Sequence, residues 1–187
     1  MMTIPTTEQI DGLTLILRNS IEELIDRDSD IFNVDLIEPE EISDDARILN
    51  RELHETCINH RLAYYLEKNI QNTELDVYKV DIEYNRYYRN LKLLQTVNGQ
   101  LSVRPDIILH SRVNADIQPQ HYLVVEAKKA HISRHDIIKV EGFITDDNYN
   151  YVFGFTISYC SDNQNILGIL FYFDGTEIAR TQLNVPK

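Results

Sequence analysis

The chain predicts an α/β fold in one globular domain: a helix, three strands, a second helix and two closing strands, preceded by an additional helix. Three observations carry this. Apolar residues recur at spacings of three and four in the helical segments, whereas the strand segments either alternate strictly or run apolar for four to nine residues. Turn residues separate the segments. A length of 187 residues with 43% hydrophobic content suits one domain with a core. Residues 1–45 read as an N-terminal helical extension with an acidic linker, and 46–187 as the globular unit.

The first helix spans Thr7 to Arg27, with Ile10, Leu13, Leu17, Ile21 and Leu24 on one side. The stretch DRDSDIFNVDLIEPEEISDD is acidic and broken by Pro39, which marks a linker. A second helix over 42–69 is capped by Ser43 or Asp44 and buries Leu53, Ile58, Leu62, Ala63 and Leu66. The first strand, 77–85, turns Tyr78, Val80, Ile82 and Tyr84 one way and Lys79, Asp81 and Glu83 the other. Asn98-Gly99 makes a turn into a second strand, 101–110, with Pro105 near its start. After the polar run SRVNADIQPQH, the segment 122–128 is apolar enough to be buried on both faces. A helix over 134–146, starting near Ser133 or His135, carries Ile137, Ile138, Val140 and Phe143. The runs YVFGFTISY (151–159) and ILGILFYF (166–173) form a terminal hairpin.

Chemistry concentrates in two of these strands. Residues 104–110 read RPDIILH and 122–129 read YLVVEAKK. In a strand Glu126 and Lys128 share one face and Ala127 takes the other. With Asp106 on a neighbouring strand, two carboxylates and an ammonium meet. Carboxylate oxygens suit a magnesium-like cation, and an ammonium can orient a water or offset charge in a transition state. Glu55 projects from the apolar side of the second helix, where a carboxylate needs a metal or a salt bridge, for which Arg51 is available. In EYNRYYRN, Arg86 and Arg89 are interleaved with Tyr87 and Tyr88, a composition that grips phosphates and stacks on bases but also occurs on hairpin edges.

The segments RPD and EAK, with 19 residues between Asp106 and Glu126, resemble the PD-(D/E)xK nuclease superfamily of restriction-endonuclease-like proteins. Together with HRLAYYLE upstream and RPDIILH downstream, the EYNR segment resembles a bacterial group within it, over about residues 52–140. The resemblance implies an αβββαβ core with a mixed central sheet flanked by helices, the motif falling on the second and third strands. It implies a nuclease, acting on DNA by a metal-activated water and leaving a 5′-phosphate. Asp106, Glu126 and the Ala127 carbonyl would hold magnesium, for which manganese can substitute, and Lys128 would position the water. Glu55 resembles the glutamate that the family's first core helix adds to the metal site, with Glu52 as the alternative. Arg86, Arg89, Arg104, Lys129, Arg134 and Lys139 are the cations available to a nucleic-acid backbone. Superfamily members often work as dimers, and the terminal hairpin or the first helix could supply such an interface.

A net charge of −12 speaks against a nucleic-acid partner until it is divided along the chain. Residues 1–85 balance at −13, residues 86–139 at +5 and residues 140–187 at −4. Positive charge therefore gathers in the segment that holds the motif. The acidity elsewhere keeps a second expectation open: a catalytically silent or partner-dependent module on a nuclease fold, such as a defence-system subunit docking on a basic protein. No apolar run approaches the length of a membrane span, and the N-terminus lacks a signal-peptide pattern, so a soluble cytoplasmic protein is expected. Cys57 and Cys160 read as reduced bystanders. His54, His60, His110, His121, His131 and His135 lack zinc-ligand spacing.

Overall fold

A computed structural model of the protein describes residues 2–29, 55–84, 86–87, 90–91, 93–96, 99–112, 114–160, 162 and 164–187. Helix α1 spans Thr7–Arg27. The Thr6 hydroxyl accepts the Gln9 amide while the Gln9 side chain accepts the Thr6 amide, so two of the amides left over at a helix start are satisfied reciprocally. Its buried residues include Leu13, Leu17, Ile21 and Leu24, the stripe that its sequence periodicity predicts. Each such burial is worth roughly 1.5–3 kcal/mol.

Helix α2 spans Glu55–Asn69 and buries Ile58, Leu62, Ala63 and Leu66. The expected caps Ser43 and Asp44, together with Leu53, Arg51 and Glu52, lie outside the described residues. A 3-10 turn, Glu74–Val77, then leads to strand β1, Lys79–Ile82. The first core strand thus begins two residues later than its alternation suggests, because the Thr73 hydroxyl accepts the Leu75 amide and caps a helical turn instead. It ends at Ile82, and the next residue, Glu83, turns the chain with a φ of +48°, so Tyr84 leaves the face of Val80 and Ile82 and packs with a second cluster.

The short strands β2 (Arg86–Tyr87), β3 (Asn90–Leu91), β4 (Leu93–Thr96) and β5 (Gly99–Ser102) form two small antiparallel pairs outside the main sheet. The strand expected over 101–110 is therefore divided. Its first part belongs to the β4–β5 hairpin, and only Ile107–His110, β6, joins the main sheet. Pro105, which has no amide to donate, stands in the break.

Strands β7 (His121–Lys128), β8 (Phe153–Ser158), β9 (Asn165–Phe173) and β10 (Ile178–Pro186) complete a six-stranded sheet of order β1-β6-β7-β8-β9-β10. Every pair is antiparallel except β7 with β8. Those two are joined by helix α3, Arg134–Thr145, as a parallel pair requires. Strand β10 was not expected from its sequence: its outer positions are polar, and only Leu183 and Val185 are buried.

The sheet separates two layers. Alternate positions Leu123, Val125 and Ala127 of β7 share a core with α1 and α2, whereas Val124 packs with Phe143 of α3. Within α3, Val140, Phe143 and Ile144 are buried, but Ile138, expected in the stripe, is 44% exposed. Helix α3 sits close because Gly154 faces it: a Cβ there would lie 2.2 Å from Val140 Cγ1. Among the described residues no helix is long and apolar enough to cross a membrane.

Candidate functional site

Three pieces of chain meet where β7 ends. Asp106 precedes β6, whose antiparallel register sets Ile107 opposite Val125 and so brings Asp106 beside the end of β7. The Asp106 amide donates to the Val125 carbonyl (3.2 Å), and its carbonyl accepts from the Glu83 amide (2.9 Å). Its carboxylate Oδ2 accepts the Ala127 amide at 2.8 Å. Burial pushes the Asp106 carboxyl above its ordinary range, with the Ala127 amide and the Lys128 charge pulling the other way.

Glu126 and Lys128 share a strand but take different partners. Glu126, 1% exposed, turns toward α3, where Lys139 Nζ donates to its Oε2 at 2.5 Å. Burial raises its pKa to about 7, although Lys139 and Lys128 act to lower it. Among the described residues its other oxygen, Oε1, is buried without a hydrogen-bond partner. Lys128 occupies the last position of β7 and uses its long stem to reach α2. Its Nζ donates to Glu55 Oε1 (3.1 Å) and to the Ala127 carbonyl (2.8 Å), and lies 3.7 Å from Asp106 Oδ2. Burial acts to depress its pKa, but Asp106 and Glu55 outweigh it and the net shift is upward.

Glu55 therefore joins the cluster, with both oxygens engaged: Oε2 accepts the Lys129 amide at 2.9 Å. The expected basic contacts fare unevenly. Lys139, expected to contact a nucleic-acid backbone, is turned inward, its side chain only 16% exposed, and its ammonium is paired with Glu126 and Asp136. Arg134 is exposed at the start of α3, and Arg104 is exposed beside Glu83 at 3.5 Å. Lys129 is half-buried, Arg89 lies outside the described residues, and Arg86 sits in β2.

Two residues of the cluster escaped sequence reasoning. Asp136 forms a capping box with Ser133 and lies 3.5 Å from Lys139 Nζ. Burial opposes ionisation there, but the Ser133 hydroxyl and amide and the two lysines hold its carboxyl below the usual range. Thr156 is the register partner of Glu126 on β8 and is 1% exposed, and among the described residues its hydroxyl also lacks a hydrogen-bond partner. The signals were present: Ser-x-x-Asp opens α3, and Thr156 is the polar residue inside an apolar run.

Glu126 and Thr156 are register partners, and among the described residues Glu126 Oε1 and Thr156 Oγ1 are both buried without a hydrogen-bond partner, a combination that marks a place for a water or an ion. Among the described residues, no group of three or more His, Cys, Asp or Glu side chains is arranged to hold a metal. Magnesium does not need one. It binds through one or two carboxylates and keeps several waters, so Asp106 and Glu126 with the Ala127 carbonyl fit it. His110, by contrast, is a satisfied core histidine, its Nε2 2.8 Å from Asp81, which Arg112 also holds.

No protein-family model matches the chain, and no curated protein matches it significantly.

Proposed function

We propose that the protein is a metal-dependent nuclease of the PD-(D/E)xK type, hydrolysing phosphodiester bonds of DNA. One observation carries the reading. Asp106, at the entry to β6, and Glu126, in the neighbouring strand β7, come together at the end of the sheet; among the described residues Glu126 Oε1 is buried without a hydrogen-bond partner, and Lys128 stands between Asp106 and Glu55. The order α2, β1, β6, β7, α3, β8 supports a restriction-endonuclease-like core, with Asp106 at the entry to the second main-sheet strand and Glu126 in the third.

Asp106, Glu126 and the Ala127 carbonyl would hold magnesium or manganese, which, when bound, lowers the pKa of a water and offsets charge on phosphorus. The protein's own residues do the rest. The Ala127 amide aims Asp106, and Glu55 holds Lys128 so that its ammonium can orient the attacking water or meet charge developing on the phosphoryl oxygens. Exposed Arg134 and Arg104 are available to flanking phosphates. Purified protein with Mg²⁺ or Mn²⁺, offered single- and double-stranded DNA and RNA, should cut DNA. Cleavage that persists in Asp106→Ala would overturn the site.

A second reading, a silent nuclease-fold module that docks on a partner, draws on the net charge of −12. A metal-induced rise in melting temperature that depends on Asp106 and Glu126 favours the enzyme; no effect at millimolar metal favours the module.

A further inference from the structure

Lys139 has no part in the hydrolysis described above, yet it is the cation closest to Glu126. Its ammonium is largely buried, 2.5 Å from Glu126 Oε2 and 3.5 Å from Asp136 Oδ1. The Asp136 carboxylate is fixed independently, because Oδ2 accepts both the Ser133 amide (2.9 Å) and the Ser133 hydroxyl (2.6 Å). That leaves Oδ1 facing Lys139. Helix α3 packs closely on the sheet at Gly154, where a Cβ would lie 2.2 Å from Val140 Cγ1.

We propose that the Lys139 ammonium holds the place of the divalent cation at Glu126 in the metal-free protein and moves to Asp136 when the ion binds, thereby setting the metal affinity of the site. The inference rests on the metal-site reading above. A carboxylate as buried as Glu126 needs a counter-charge at all times. An arriving divalent ion supplies that charge, and two cations on one buried carboxylate repel each other, so the weaker claimant leaves. Asp136 gives it somewhere to go without a longer excursion or an unpaired ammonium. The orphaned Glu126 Oε1 and Thr156 Oγ1 lie on the same face of the sheet and offer the ion, or one of its waters, the acceptors that Lys139 does not use.

The test is calorimetric titration of the full chain with MnCl₂, comparing wild type, Lys139→Met and Lys139→Gln. The glutamine variant keeps a polar end on the stem and so covers the case in which methionine leaves Glu126 too poorly balanced for folding. Removing a competing cation should tighten manganese binding about tenfold in either variant, the reciprocal of the cost that the ion now meets in displacing the lysine. Without metal both variants should melt below wild type, and manganese should narrow the gap. Asp136→Asn should weaken manganese binding in the wild-type background and leave it unchanged beside Lys139→Met. Variants that bind manganese no more tightly than a wild type that does bind it would overturn the role of Lys139 alone. Failure of all three proteins to bind would remove the metal site with it.

Discussion

The Asp106 carboxylate accepts the main-chain amide of Ala127 at 2.8 Å, so the residue between Glu126 and Lys128 is tied to the acid of the other strand. The bond joins the two halves of the motif directly. Asp106→Ala would leave that amide without its acceptor and should cost about 1–3 kcal/mol in urea denaturation. Asp106→Asn keeps a carbonyl oxygen for the amide and should stay nearer wild type, while both variants lose manganese binding. Equal destabilisation by the two would show that the amide bond is not what matters.

Lys128→Ala should reduce DNA cleavage by at least about 100-fold, as loss of a group meeting transition-state charge does. Its stability should stay close to wild type, since Glu55 keeps the Lys129 amide and Lys128 is partly exposed. Cleavage assays beside thermal melts separate the two effects. Activity within a few-fold of wild type would exclude Lys128 from the chemistry.

Glu126 gives the metal-free protein a pH dependence. A carboxyl whose pKa rises from 4.5 in the unfolded chain to about 7 on folding contributes stability that is full below about pH 4.5 and is lost as pH rises through 7. The change is on the order of 3 kcal/mol over that window. Urea denaturation in EDTA should therefore show a slope between pH 4.5 and 7 that is diminished in Glu126→Gln. Parallel curves for the two proteins would refute it.

Thr156→Val removes a buried hydroxyl without a partner and keeps the side-chain shape. The metal-free protein should gain up to about 1 kcal/mol, because an unsatisfied group no longer has to be desolvated. Manganese affinity should fall. A variant less stable than wild type in EDTA would mean that the hydroxyl is satisfied in solution.

Gly154→Ala puts a methyl where Val140 Cγ1 stands 2.2 Å away and should cost about 1–3 kcal/mol through displacement of α3. Because Lys139 and Asp136 ride on that helix, the variant should also alter manganese affinity. Chemical denaturation and calorimetry measure both. An unaltered melting curve would show that α3 shifts freely.

Much of this was legible in the sequence because it rests on local rules. The span of α1 follows from its apolar spacing, and the apolar runs gave β7, β8 and β9 to within two residues. Asp106, Glu126 and Lys128, picked out by their spacing in the sequence, do come together at the end of β7. Whatever depended on a distant partner was not legible. Pro105 marks a break between β5 and β6, but only the pairing of Leu93–Thr96 explains why the chain leaves the main sheet before it. The inward turn of Lys139 depends on Gly154 drawing α3 close, a contact between residues far apart in the chain. Ile138 obeyed its apolar character but not the helical phase, and it faces outward.

The two helical layers of the sheet differ in more than packing. Exposed Glu8, Asp11, Glu22 and Asp26 outnumber exposed Arg27 on α1, on one side, while α3 presents exposed Arg134 and a partly exposed Glu141 paired with Arg180 on the other. A polyanion would thus be turned away from one flank and admitted from the opposite one. Since salt weakens repulsion and attraction together, association with DNA should respond to ionic strength less steeply than for a uniformly basic nuclease, and the protein would discriminate first by the direction of approach.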